Sequence, residues 1–107
     1  MTFYAITATL NTLALEPVEK ALQEIGVPGI TVTETKGYGV YRNFYQRDWL
    51  ETHARIQIYA EGSRVDDIVR TILEAASTGC EDDGVIAVSP ITRLYRICDK
   101  TELTKVA

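Results

Sequence analysis

The sequence predicts an α+β fold in which two helices pack on one face of an antiparallel β-sheet. Three observations lead to this class: segments with strand composition or alternation, two segments with the apolar spacing of amphipathic helices, and their order, β-α-β-β-α-β. This order defines the split βαβ, or ferredoxin-like, arrangement, here with a short extra strand near the C-terminus. A length of 107 residues with 46% hydrophobic and 24% charged residues fits one domain, residues 1–107.

The first half of the chain predicts a strand, a helix and a second strand. Residues 3–10 are rich in β-branched and aromatic residues, which favour a strand. In residues 15–26, Pro17 stands in the first helical turn, where proline is tolerated, and Gly26 ends the helix. The apolar stripe of this helix consists of Val18, Ala21, Leu22 and Ile25. Residues 30–36 alternate between apolar and polar side chains and predict a half-buried strand.

The second half predicts a strand, a helix and two further strands. Residues 54–60 alternate again, and Ser63 is expected to cap the second helix. The buried stripe predicted for this helix consists of Val65, Ile68, Val69, Ile72 and Ala76. Strands are predicted at residues 85–88 and 92–97, and the polar tail, residues 99–107, is expected to be loose.

Charge and composition limit the classes of partner. A net charge of −4 without a basic run argues against nucleic acid. No apolar stretch approaches the roughly 20 residues that cross a bilayer, and the N-terminus lacks the basic start of a signal peptide. We therefore expect a cytoplasmic protein without direct membrane insertion. Two cysteines and one histidine are too few for a closed zinc site or a disulfide scaffold.

The sheet face away from the helices is expected to pack against other subunits. Its predicted side chains, mixed in polarity, are Thr31, Thr33, Gln57 and Tyr59. A chain of this size buries only part of its surface alone, so a dimer or trimer is expected.

Residues 37–53 show neither helical nor strand periodicity and are unusually aromatic. The aromatic residues of this loop that we expect to contact a partner are Tyr41, Phe44, Tyr45 and Trp49. So many apolar rings favour a loop that folds onto a ligand or a protein over a disordered linker, which remains the alternative. His53, the only histidine, accompanies no nucleophile motif, so no enzymatic activity is expected.

Residues 77–88, STGCEDDGVIAV, allow three interpretations. The glycines at positions 79 and 84 could expose consecutive backbone N–H groups as an anion-binding nest. The three acids between them, residues 81–83, could instead bind a divalent cation, although their spacing is not that of a calcium loop. A solvated turn is the third interpretation.

Several stretches together resemble the PII signal-transduction family. VEKALQEIGVPGITVTETKGYG resembles that family's first helix, second strand and the start of its long loop. RIQIYAEGSRVDDIVRTILEAASTG resembles its third strand and second helix, and STGCEDDGVIAVSPITRLYRI its glycine loop and last strands. The similarity covers residues 18–97 in the same order, so the chain is identified as a divergent member of the PII or PII-like superfamily.

This resemblance implies a homotrimer that binds adenine nucleotides in clefts between subunits. The positions that match the adenine-holding segment are Gly29, Ile30 and Thr31. Those that match the segment from ribose and phosphates into the long loop are Gly37, Tyr38 and Gly39. Those that match the nucleotide-wrapping loop, residues 78–84, are Thr78, Gly79, Asp83 and Gly84. Arg96 matches a phosphate-facing arginine, and residues 40–53 match the partner-contacting loop.

Departures from the family pattern affect the expected ligand. Val85 stands in place of a phosphate-binding lysine, Cys98 in place of a second arginine, and Asp82 in place of a glycine. Because charge-assisted contacts to phosphate are lost, ADP or AMP is favoured over ATP, and no cofactor is required. Tyr41 and His53 replace the glutamine and lysine that serve 2-oxoglutarate, so a small anion such as bicarbonate is the expected second ligand. The alternative for His53 is an exposed loop residue.

The expected function is that of a non-enzymatic sensor that regulates a target protein, such as a membrane transporter or a metabolic enzyme, through loop 37–53. One alternative is a metal-associated trimer involved in metal tolerance, with ligands from His53, the acidic loop and the thiols of Cys80 and Cys98. A small hydrolase that uses the same cleft is a more distant alternative.

Overall fold

The computed structural model describes residues 2–37 and 51–105. The elements in chain order are β1 (Phe3–Asn11), α1 (Leu15–Glu24), β2 (Thr31–Gly37), β3 (Glu51–Glu61), α2 (Gly62–Ala76), β4 (Gly84–Ile91), β5 (Tyr95–Arg96) and β6 (Thr101–Glu102), with single 3₁₀ turns at Thr12–Ala14 and Glu81–Asp83. None of the helices in the described ranges is long and apolar enough to cross a membrane.

The main sheet has four strands in the order β2-β3-β1-β4, and every neighbouring pair is antiparallel. In the central register, Ile6 of β1 lies opposite both Ile58 of β3 and Val88 of β4. Each βαβ unit therefore encloses a strand of the other unit, which is the split βαβ topology. The predicted fold class is confirmed.

The core lies between the two helices and one face of the sheet. Alternate residues of β1 and β3 point into it, since side chains alternate between the faces of a strand. The core residues with at most 2% exposure are Ile6, Ala8, Leu10, Val18, Leu22, Ala54, Ile56, Ile68 and Ile72. The helical members of this set lie at the positions that the apolar spacing predicts. On the opposite face, Thr31 lies beside Gln57 and Thr33 beside Arg55, as expected.

The ends of the helices agree only in part with the sequence. Gly26, after α1, has a φ of 85°, the left-handed conformation that stops a helix. The prediction that Ser63 caps α2 is wrong: the helix begins at Gly62, and Glu61 is the N-cap without a side-chain hydrogen bond. The backbone N–H of Gly62 instead donates to the Thr2 carbonyl at 3.0 Å. The first N–H group of α2 is thus satisfied by a tertiary contact with the residue before β1.

The C-terminal segment also differs from expectation. β4 continues through Pro90 to Ile91; because β4 is an edge strand, a residue without a backbone N–H is tolerated there. The strand predicted at residues 92–97 is reduced to Tyr95–Arg96. The tail is not loose, because its residues Thr101–Glu102 pair with that strand in a small second sheet.

Candidate functional site

The loop between α2 and β4 is organised around the Asp83 carboxylate. Its Oδ2 accepts hydrogen bonds from the backbone N–H groups of Thr78 (2.7 Å), Gly79 (3.1 Å) and Cys80 (3.3 Å). Its Oδ1 accepts from the Thr78 hydroxyl at 2.5 Å. These bonds, led by the one from the Thr78 hydroxyl, hold the pKa of Asp83 below its ordinary value. The carboxylate is therefore ionised at neutral pH.

Consecutive backbone donors that converge on one anion form a nest, which is the first of the three interpretations of this loop. The anion in this nest is the protein's own Asp83 carboxylate, not a ligand. The loop is therefore already closed and ordered, and the N–H groups of Thr78, Gly79 and Cys80 are engaged. A ligand phosphate can approach its outer surface but meets these donors only if Asp83 leaves.

A cleft of about 280 Å³ lies beside this loop, between α2 and strands β1 and β4. Four of the predicted nucleotide-binding residues line it, namely Gly79, Asp83, Gly84 and Val85. Its apolar wall includes Ile72, Leu73, Ala76 and Ile86. Val85 is 49% exposed, so the position where the family resemblance implies a lysine is open to solvent.

The residues predicted to hold adenine lie elsewhere in the chain. Gly29 lines a second cleft of about 410 Å³ together with Phe3 and Glu61, while Ile30 lies with Gly29 on a small hollow of about 60 Å³. Phe3 pairs with Glu61 at one end of β1, whereas Leu10 pairs with Gly84 at the other. A single chain therefore does not bring the adenine-matching residues and the glycine loop together. Thr31 is exposed on β2.

Arg96 lies in β5, where its guanidinium is engaged by Asp99. Its Nε and Nη2 lie 3.1 Å and 2.5 Å from Asp99 Oδ2. The other oxygen of Asp99, Oδ1, accepts hydrogen bonds from the backbone N–H (3.2 Å) and the hydroxyl (2.6 Å) of Thr101. The hydrogen bond with Arg96 is the main cause of a pKa of Asp99 well below its usual range, and the same bond raises the pKa of Arg96.

His53 is not an exposed loop residue, and that alternative is wrong. It lies in β3, paired in register with Asn11 and Thr35, and its side chain is 3% exposed. β2 and β3 extend into the segment that the sequence assigned to the loop, to Gly37 and from Glu51. The other predicted residues of this segment, Tyr38, Gly39, Tyr41, Phe44, Tyr45 and Trp49, lie outside the described residues.

Sequence reasoning did not identify Asp99 and Thr101 as the residues that engage and support the Arg96 side chain. A signal was present, since aspartate is common in turns, where its side chain accepts from the backbone N–H two residues later, here that of Thr101. We missed this turn because the last predicted strand ends at residue 97, and Asp99 was treated as the start of a loose tail.

The metal alternative receives no support from the described residues. Across 2–37 and 51–105, no group of three or more histidine, cysteine, aspartate or glutamate side chains is placed to hold a metal ion. Cys80 and Cys98 are both free and exposed thiols.

The ionised Asp83 carboxylate, and not the neighbouring Asp82, is expected to hold the glycine loop closed. Because the folded-state pKa of Asp83 is lowered, its contribution to loop stability is present above the unfolded value near pH 4 and is lost as the pH falls through the lower folded value. Asp83→Ala should therefore remove hydrogen-exchange protection of the Thr78 and Gly79 amides at neutral pH, as measured by NMR. The matched control is Asp82→Ala, since the amides of Thr78 and Gly79 donate to Asp83 and not to its neighbour. Equal protection in the two variants would contradict the prediction.

Together these features define a small α+β protein of split βαβ topology, with a self-closed glycine loop beside a cleft and an arginine at the start of a C-terminal hairpin. The chain belongs to the nitrogen regulatory protein P-II family, whose family model matches residues 3–101. Membership in the PII superfamily, predicted from the sequence stretches, is confirmed.

Individual relatives give the same result. The chain is 38% identical over 100 residues to the nitrogen regulatory protein P-II of Azospirillum brasilense, covering 86% of this chain and 88% of that protein. Identity and coverage are the same for nitrogen regulatory protein P-II 1 of Escherichia coli (strain K12). The fold is similar to that of Arabidopsis thaliana PII bound to citrate, with a TM-score of 0.82 and 27% identity over 96% of this chain and 90% of that one.

Proposed function

We propose that this protein is a non-enzymatic PII-type signalling protein that binds an adenine nucleotide and regulates a target protein. Membership in a family of nitrogen regulatory proteins supports the regulatory role. The observation that carries nucleotide binding is the glycine loop, held in one conformation by Asp83 beside the cleft of about 280 Å³. A nucleotide that binds the outer surface of this loop, with Asp83 still in place, meets a loop that is already ordered and loses little conformational entropy.

The proposed nucleotide site lies between subunits of a homotrimer. Support comes from the separation of its parts in one chain, where Gly29 and the glycine loop lie near opposite ends of β1. A second subunit can bring another copy of the adenine-matching segment to the loop. Light scattering on the purified protein should therefore give the mass of three chains, and a monomer at micromolar concentration would contradict an intersubunit site.

The proposed ligand is ADP or AMP, with weaker ATP binding. The half-exposed Val85 offers no cation to a phosphate, and the nearby Asp83 is ionised. Among the described residues that match nucleotide-binding positions of the family, Arg96 is the one cation. Each additional phosphate adds negative charge to the ligand, but the site offers no further cation to bind it. The affinity for the nucleotide therefore does not rise with the number of phosphates, as it would with a lysine at the position of Val85.

Calorimetric titration with AMP, ADP and ATP tests this preference. We expect measurable binding of AMP and ADP, weaker binding of ATP, and no nucleotide hydrolysis during the experiment. Arg96→Ala should weaken each of them by about fivefold to tenfold, the loss of one partly exposed charge-assisted contact. Absence of binding at millimolar concentration would overturn the sensor proposal, and preferential magnesium-dependent ATP binding would overturn the nucleotide preference.

A second ligand and a protein target complete the proposal. A small anion such as bicarbonate would bind near Tyr41 and the β3 residue His53. Because the His53 side chain is 3% exposed, the anion reaches it only if the surrounding side chains move aside, and repeating the ADP titration with bicarbonate tests this. Ligand binding would bias the conformation of loop 37–53, whose aromatic residues would contact a membrane transporter or a metabolic enzyme in the cytoplasm. Cross-linking from a photoreactive residue at position 45, with and without ADP, would identify that target. A target captured equally in both states would contradict regulation by the nucleotide.

A further inference from the structure

The hairpin formed by β5 and β6 holds Arg96 against a carboxylate of its own chain. Thr101 lies directly opposite Arg96 in the two-stranded register, and Asp99 stands in the turn between them. Lys100 adopts a φ of 59°, and its backbone N–H donates to the Ile97 carbonyl at 3.3 Å, which closes the turn. Asp99 is therefore positioned by the backbone of the hairpin as well as by its charge.

The contact occupies the edge of the guanidinium that arginine offers to phosphates. Nε and Nη2 of Arg96 are the pair of donors that binds an oxyanion in a fork, and both are directed at Asp99 Oδ2. A ligand phosphate that used this edge would meet a carboxylate already in its place. A phosphate on this edge would compete with the Asp99 carboxylate for the same two N–H groups, and the two negative charges would repel each other.

The ion pair is weak enough to open. The side chains of Arg96 and Asp99 are 54% and 42% exposed, and ion pairs open to solvent contribute little net stability. When Arg96 turns away, Asp99 keeps the hydrogen bonds of Thr101 to its Oδ1. Thr101 therefore holds the Asp99 carboxylate whether Arg96 is bound to it or turned away, and only the Arg96 side chain has to move.

We propose that Asp99 competes with the phosphate of a ligand for the guanidinium of Arg96. This competition lowers the affinity of the protein for phosphate-bearing ligands and leaves its affinity for the unphosphorylated nucleoside unchanged. This inference rests on the proposed nucleotide function and on the role of Arg96 in it. It places a determinant of the affinity for all three nucleotides outside the glycine loop. The competition acts on every ligand that carries a phosphate, and it does not act on adenosine.

The test is Asp99→Asn, titrated with adenosine, AMP, ADP and ATP in a buffer that contains EDTA. Asparagine retains an oxygen for the two donors of Thr101, so the turn is kept, but the NH2 group that replaces Oδ2 cannot accept a hydrogen bond from Arg96. We expect affinities for the three nucleotides to rise about threefold to fivefold, the range of an exposed ion pair, and adenosine binding to remain unchanged. The double variant Arg96→Ala/Asp99→Asn should lose the gain.

Asp67→Asn on α2 is the matched control. Asp67 forms an exposed ion pair with Arg70, three residues later, with the same spacing as the pair in the hairpin. The control removes the same charge from the protein and should leave nucleotide affinity unchanged. An equal rise in both variants would show a general charge effect and overturn the inference.

The outcomes separate this inference from the proposed function. If the unmodified protein binds nucleotides and Asp99→Asn binds them equally, only the competition is overturned. A gain that survives Arg96→Ala also overturns it, because the gain would not pass through the arginine. If neither the unmodified protein nor Asp99→Asn binds any of the nucleotides at millimolar concentration, the proposed function and this inference are both overturned.

Discussion

Gly84→Ala is expected to lower the free energy of unfolding by about 3 kcal/mol or more, a large part of the stability of a small domain. Gly84 has a φ of 114°, a conformation that side chains rarely adopt. A β-carbon at this position would lie 1.9 Å from the carbonyl oxygen of Thr9 in the neighbouring strand. Both the backbone strain and the pairing of β4 with β1 therefore oppose the substitution.

Two other glycines separate these causes. Gly79 also has a positive φ, 84°, but no atom lies within 4 Å of its virtual β-carbon, so Gly79→Ala should cost about 1–2 kcal/mol through backbone strain alone. Gly29 has neither a positive φ nor a close neighbour, and Gly29→Ala should change stability by less than about 0.5 kcal/mol. Urea denaturation followed by circular dichroism, at one protomer concentration, measures the series. Equal losses for Gly84→Ala and Gly79→Ala would contradict a close approach of the two strands.

Val85→Lys is expected to raise the affinity for ATP by roughly tenfold to a hundredfold, since a hydrogen bond to a charged group contributes about 1.5–3 kcal/mol. Val85 lines the cleft beside Gly84 and is half-exposed, so a lysine there can reach a ligand without displacing core side chains. The gain should be largest for ATP and smallest for AMP, because the ammonium group adds attraction for each phosphate charge within its reach.

Val88→Lys is the control for this gain. Val88 lies in the same strand, is 43% exposed, and is not among the residues that line the cleft, so its substitution adds the same charge away from the proposed site. Calorimetric titration of both variants with AMP, ADP and ATP is the measurement. If the two lysines had equal effects, the position of Val85 beside the bound phosphates would be refuted.

Much of the fold follows from local periodicity. The alternation of Ala54, Ile56, Ile58 and Ala60 and the helical spacing of Ile68 and Ile72 identify the faces that turn inward, and the element order then selects the split βαβ sheet. Burial can be predicted in these segments because the spacing of apolar residues, a property of residues near one another in sequence, matches the repeat of a strand or a helix. The family resemblance came from the same kind of information, runs of residue types at short spacing.

The contacts that define the candidate site could not be derived in this way. The residue types of the nest were visible in the sequence, but which anion occupies it depends on loop conformation, which brings Asp83 onto three backbone donors. The burial of His53 depends on strand extensions that the aromatic segment does not signal. Ser63 does not cap α2 because the helix begins one residue earlier, at Gly62, whose N–H donates to the carbonyl of Thr2, a residue distant in sequence.

The sequence by itself therefore determined the class of fold, the family and the residue types available to a phosphate. Only the tertiary structure decided that both groups suited to a phosphate, the nest and the Arg96 guanidinium, are engaged by aspartates of the same chain. The physical reason is that a hydrogen bond depends on distances and angles between particular atoms. Those are set by the left-handed turn at Lys100 and the closed loop before Gly84, not by composition or spacing.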